Sequence, residues 1–137
     1  IEFETLETVA NRVKKELEDI KPTLVVTHYP GHGVHPDHNA LASGTIEAVR
    51  MMPKEQRPTV WVAAITRDFE KVLGEPDVII ELGDDFDYKL NAILKHRSQA
   101  EGLLKQLEDP SKNESEFIRG LRTRLGRERF FIWDFND

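Results

Sequence analysis

Two prolines bracket the segment that most limits the folds open to this chain. Pro22 ends an amphipathic helix in which Leu6, Val9, Val13, Leu17 and Ile20 recur at helical spacing, with Glu and Lys on the outer face. Residues 23–27 follow with Leu24-Val25-Val26 at their centre, the continuous apolar run expected of a parallel strand covered on both faces. Pro36 has a fixed φ and no N–H, so it suits the first position of a second helix and makes His35 the N-cap. Helix, short strand and helix in this order are the parts of a doubly wound α/β fold. The loop between strand and helix falls where such sheets bind ligands.

The rest of the chain continues the alternation. The second helix runs from Pro36 to about Met52, burying Leu41, Thr45, Ala48, Val49 and Met52, with Ala40 and Gly44 allowing close approach to the sheet. Strands are expected at 58–65 and 78–82, joined by a connection containing Gly74 and Pro76. A long helix follows, capped by Asp84 or Asp85, with Phe86, Leu90, Ile93, Leu94, Leu103, Leu104 and Leu107 inward and His96-Arg97 along its length. Asn113 with Glu116 resembles a capping box for a last helix, Gly126 stops it, and residues 130–135 form a closing strand apolar on both faces. The whole reads as one domain, residues 1–137, with a mainly parallel, Rossmann-like sheet and helices on both faces.

With 39% hydrophobic residues among 137, the chain can bury a real core. A net charge of −6 gives no general attraction to nucleic acid or an anionic membrane and points to a small-molecule partner. No apolar run approaches the about 20 residues of a membrane span and no signal segment opens the chain, so a soluble, cytoplasmic protein is expected. There is no cysteine, so any metal must be held by imidazole and carboxylate.

Four of the five histidines, His28, His32, His35 and His38, lie in the loop that follows the first strand. His35 and His38 are three apart, so at a helix start they can approach one site from adjoining directions. Asp37 adds a carboxylate able to orient either imidazole. Histidines in a Gly-rich loop are also common as solvated turn residues, and both readings stand at this level. Phosphate cradling by Gly31 and Gly33 is discounted: the Gly-x-Gly-x-x-Gly pattern fails at Pro36, and no Gly-Lys-Ser/Thr follows. A mononuclear zinc hydrolase needs three protein ligands and an open position. His38 and His35 are candidates, but no second ligand cluster stands at a recognisable spacing.

Residues 29–40, Tyr-Pro-Gly-His-Gly-Val-His-Pro-Asp-His-Asn-Ala, followed by a helix and much later by His-Arg-Ser-Gln at 96–99, resemble the LmbE-like, or GlcNAc-phosphatidylinositol deacetylase (PIG-L), superfamily. The likeness is strongest to the bacterial deacetylases of bacillithiol biosynthesis, which remove the acetyl group from N-acetylglucosaminyl malate. The resemblance implies zinc as cofactor, with His38 as a ligand, protonated His35 stabilising the oxyanion, and Asp37 orienting His35 and supporting its charge. In the family a His-Pro-Asp-Asp segment after the first strand supplies two more ligands and the general base. That segment is not in this sequence. The resemblance therefore implies a carboxyl-terminal portion, an incomplete sheet whose first strands are missing, and activity that requires an upstream segment of the same protein.

Other residues admit two readings. His28, Tyr29 and His32 line the pocket mouth and touch the acetylated amino-sugar, or they are surface residues. His96 and Arg97 contact sugar or carboxylate, or they anchor their helix to the sheet. The arginines Arg119, Arg122, Arg124, Arg127 and Arg129 attract an acidic substrate, or they form a solvated face. The unpaired strand edge is expected to favour a homo-oligomer. The alternative to a deacetylase is a non-catalytic binding module.

Overall fold

A computed structural model describes all residues, Ile1–Asp137. It is a mixed α/β fold with a four-stranded sheet in the order β1-β2-β4-β3, formed by β1 (Leu24–His28), β2 (Thr59–Ala63), β3 (Val78–Glu81) and β4 (Arg127–Ile132). This is consistent with an incomplete Rossmann-like fold. The chain divides into two compact units. The first is discontinuous, residues 1–78 with 129–137, and the second comprises 79–128.

In the first unit, α1 (Leu6–Ile20) begins at Thr5, whose hydroxyl accepts the Thr8 N–H at 3.2 Å, and ends at Lys21, a left-handed residue ahead of Pro22. It packs on α2 (Pro36–Arg50) through Val9, Ala10 and Leu17. Leu6 and Ile20, expected in the buried stripe, are exposed. Gly44 makes that meeting possible, since a Cβ there would overlap Val9 Cγ1. The close approach at Gly44 is thus to α1, not to the sheet.

β1 and β2 are parallel, joined through α2, with Leu24 opposite Thr59 and His28 opposite Ala63. Their carboxyl ends are therefore level, and the histidine loop leaves the sheet at its carboxyl edge. β4 runs antiparallel to β2, pairing Trp61 with Ile132 and Val62 with Phe131. Period-2 alternation then sorts the two faces. Val60, Val62 and Phe131 join Ala10, Leu17, Ile46, Ala48, Val49 and Met52 in one core, against which Phe69 and Leu73 of α3 (Phe69–Leu73) also pack. Each fully buried valine contributes about 1.5–3 kcal/mol. The short α3 lies in what the sequence suggests is only a connection. The opposite face is open within this unit, with Leu24 40%, Val26 55% and Ile132 49% exposed.

Arg57 ties the carboxyl end of α2 to the end of the chain. Its guanidinium donates to the carbonyls of Met52 (3.0 Å) and Arg50 (2.7 Å) and to the Asp137 carboxylate (2.8 Å). These satisfy helix-end acceptors that the helix itself leaves free.

The second unit holds α4 (Phe86–Lys95), α5 (Arg97–Glu108) and α6 (Glu114–Leu125). The single long helix expected here is broken at His96, whose ψ of 65° cannot continue an α-helix. Phe86 is fully buried, with the Arg122 guanidinium 4.7 Å from its ring centroid. Asn113 caps α6 by accepting the Glu116 N–H at 3.1 Å, and Gly126 ends it. Of the arginine run, Arg122 pairs with Asp87, Arg127 with Glu81 and Arg129 with Glu70. No helix is long and apolar enough to cross a membrane.

Replacing Gly44→Ala should overpack the α1–α2 contact and cost about 1–3 kcal/mol, lowering the urea midpoint. An unchanged midpoint would show that the helices separate freely. The open sheet face should bind an apolar reporter dye. The double change Val26→Thr and Ile132→Thr should weaken that binding while stability moves by no more than about 0.5 kcal/mol per site.

Candidate functional site

The loop after β1 is sewn to the chain beyond β2. Tyr29 N–H donates to the Ala63 carbonyl at 2.7 Å, and the Ile65 N–H donates to the His32 carbonyl at 2.9 Å. The His32 Nδ1 also lies 2.7 Å from the Thr66 hydroxyl. His32 thus pins the loop from both its backbone and its ring. Tyr29 turns inward: its ring meets Phe131 and Trp133 edge-on, each at 5.5 Å, and His32 at 5.4 Å.

The turn into α2 is tight. Gly33 is buried, and a Cβ there would come within 2.8 Å of His38 Cβ and 3.0 Å of Asn39 Oδ1. The Asn39 side chain accepts the Gly33 N–H at 2.8 Å. Val34 next adopts φ +67°, where a β-branched side chain is strained. His35 is the N-cap, as its place before Pro36 requires, and its Nδ1 accepts the Asp37 N–H at 3.1 Å.

These contacts assign both ring tautomers. His35 Nδ1 is an acceptor, so in the neutral ring the hydrogen is on Nε2. His38 Nδ1 lies 2.9 Å from the Gly33 carbonyl, which can only accept, so His38 carries its hydrogen on Nδ1 and presents a lone pair at Nε2. The two rings, 5.4 Å apart by centroid, therefore offer an N–H and a lone pair side by side. His28 stacks on the other side of His38, with centroids 4.4 Å apart and planes 2° from parallel. Partial burial, and secondarily the charge of His38, hold the His28 imidazole below its usual pKa.

Asp37 is placed differently from the sequence expectation. Its carboxylate accepts the Glu2 N–H at 2.8 Å, and the group in contact with His35 is its backbone N–H. The Glu2 bond is the main reason its carboxyl sits below the usual range, with the charge of His35 a lesser contribution. His96 and Arg97 stand exposed at the α4–α5 junction of the second unit. The sequence reading missed Gly33, Asn39 and Thr66. A glycine five residues before a histidine is the one local signal that could have pointed to the carbonyl contact.

His38 fits one position of a zinc centre: a neutral imidazole with its second nitrogen held by a carbonyl is the usual state of a ligating histidine. No group of three or more His, Asp or Glu side chains is arranged to hold a metal ion. The residues of this chain therefore offer one candidate donor and not a complete centre.

Residues 1–49, which include the whole histidine loop, match the family described as PIG-L, GlcNAc-PI de-N-acetylase. A protein of Bacillus subtilis (strain 168), named "Probable N-acetyl-alpha-D-glucosaminyl L-malate deacetylase 2", is 42% identical over 137 residues, covering 100% of this chain and 61% of its own length. Proteins of the same name from Bacillus cereus and Bacillus anthracis are 44% and 33% identical, covering 83% and 100% of this chain and 52% and 59% of their own lengths. The chain thus spans about three-fifths or less of the relatives it matches. With the motif on the expected strand-to-helix loop, the chain belongs to the LmbE-like, PIG-L superfamily of de-N-acetylases.

Proposed function

We propose that this chain is part of a zinc-dependent hydrolase that removes the N-acetyl group from an N-acetylglucosamine conjugate such as N-acetylglucosaminyl malate. The observation that carries this reading is the pair of opposite tautomers at His35 and His38. Amide hydrolysis of this kind needs a metal donor beside a hydrogen-bond donor for the developing oxyanion, and this helix N-terminus offers both.

Within this reading each residue has one task. His38 gives its Nε2 lone pair to zinc. His35 directs its Nε2–H at the acetyl oxygen as negative charge develops there, and passing a proton to the departing amine as imidazolium would first require its Nδ1 to give up the Asp37 N–H. The Asp37 carboxylate lies near enough to His35 for the two to interact electrostatically, a minor part of the lowering of its own pKa. Zinc, when bound, supplies Lewis acidity and a lowered pKa for water. The remaining donors and the general base come from outside these 137 residues. The names of the relatives support the sugar substrate, and the small-molecule partner expected from the net charge of −6 fits the same picture.

A second reading, a binding module without catalysis, is favoured by the absence of a three-donor group and by the open apolar face of the sheet. Activity separates the two. The 137-residue chain with zinc should release no measurable amine from N-acetylglucosaminyl malate, and should become active when joined to the remaining sequence of a full-length relative. Robust turnover by the chain alone would mean that the donors and base are misassigned. Continued silence of the joined protein would favour the module.

In such a full-length protein, His38→Ala should abolish tight zinc binding as read by metal analysis. His35→Ala should keep the metal and lower turnover by about 10² to 10³, the usual loss for one oxyanion donor. Zinc loss in the His35 variant, with activity restored by added metal, would exchange the two roles.

A further inference from the structure

The imidazole torsion χ2 is intrinsically broad, so a histidine that must present one nitrogen in one direction needs restraint from its surroundings. Three restraints meet on His38. The Gly33 carbonyl holds Nδ1–H at 2.9 Å, Gly33 lies so close to the His38 Cβ that no side chain fits there, and the His28 ring covers one face at 4.4 Å. A hydrogen bond at a single ring atom still lets the ring swing about that bond. A parallel face contact removes the swing.

We infer that His28 is a positioning residue, whose stacked ring fixes the plane of His38 and so the direction of its Nε2 lone pair. His28 suits this task because it is the last residue of β1, registered opposite Ala63, and the next residue, Tyr29, is hydrogen-bonded to that same Ala63 at 2.7 Å. The platform is therefore as fixed as the sheet. It is also the better-buried partner: His28 is half-buried, whereas His38 is exposed. Neither ring nitrogen of His28 takes part, and the stack with His38 occupies one face of its ring, so its contribution is the flat surface. The importance of that surface for metal binding rests on the reading of His38 as a zinc donor. Partners that orient a ligating histidine typically change metal affinity by about 10- to 100-fold.

The distinction between ring face and ring nitrogen gives the test. Long-range proton–nitrogen NMR correlations on the 137-residue chain should show His38 as a single Nδ1–H tautomer in the unmodified protein and in His28→Phe, which keeps the face without the nitrogens. In His28→Ala the two His38 nitrogens should move toward averaged shifts. A single tautomer retained in His28→Ala would overturn the inference, as would averaging in His28→Phe with the backbone spectrum unchanged. Should the alanine variant fail to fold, the phenylalanine variant alone decides. Zinc added to the same variants, each joined to the remaining sequence of a full-length relative, reports the metal reading separately: the tautomer pattern without zinc uptake at Nε2 leaves the positioning role standing and removes the metal role. Uptake at Nε2 without the tautomer pattern does the reverse.

Discussion

The site is built on one oxygen. The Gly33 carbonyl accepts the His35 N–H at 2.8 Å and the His38 Nδ1–H at 2.9 Å, so both of its lone pairs are engaged by the residues whose chemistry matters. The first bond folds the backbone back just before Pro36 and sets the cap. The second sets the tautomer of His38. An exposed loop would ordinarily leave such a carbonyl to water. Here it is retained because Gly33 is buried, its N–H is taken by Asn39, and its missing side chain lets His38 lie against it.

That arrangement holds only while the loop is anchored at the correct height above the sheet. The anchor is the β1–α2–β2 crossover, whose parallel register levels His28 with Ala63. The crossover in turn depends on α1 and α2 approaching closely enough for α2 to cover Val60 and Val62, which the absence of a side chain at Gly44 permits. Packing far from the histidines thus decides where they stand, the common relation between a rigid scaffold and a functional loop.

Much of this was legible in the sequence where the cause is local. Proline geometry announced the start of α2 and the His35 cap, Asn113 and Gly126 marked the ends of α6, and helical spacing found α1. What escaped needed three dimensions. Gly44 looked like a sheet contact because α1 and the sheet are both neighbours that a glycine could serve. The break at His96 was hidden because leucines on either side keep helical spacing across it. Leu6 and Ile20 follow the spacing of the α1 stripe yet stand exposed. Asp37 illustrates a different limit: spacing brings it near His35, yet only the fold shows that its N–H, and not its carboxylate, makes the contact. The family motif singled out His35 and His38; their tautomers are set by backbone groups, the Asp37 N–H for His35 and the Gly33 carbonyl for His38, which no pattern of side-chain letters encodes.

The first unit is made from two separated stretches of chain, with residues 79–128 leaving and rejoining it through strands. Such a layout is an insertion in the topological sense, and chain inserted between two closed ends tolerates changes in length better than chain threaded through a core. The register that sets the histidine loop lies wholly outside the inserted stretch. The tautomer-setting carbonyl thus belongs to the unit that residues 79–128 interrupt in sequence.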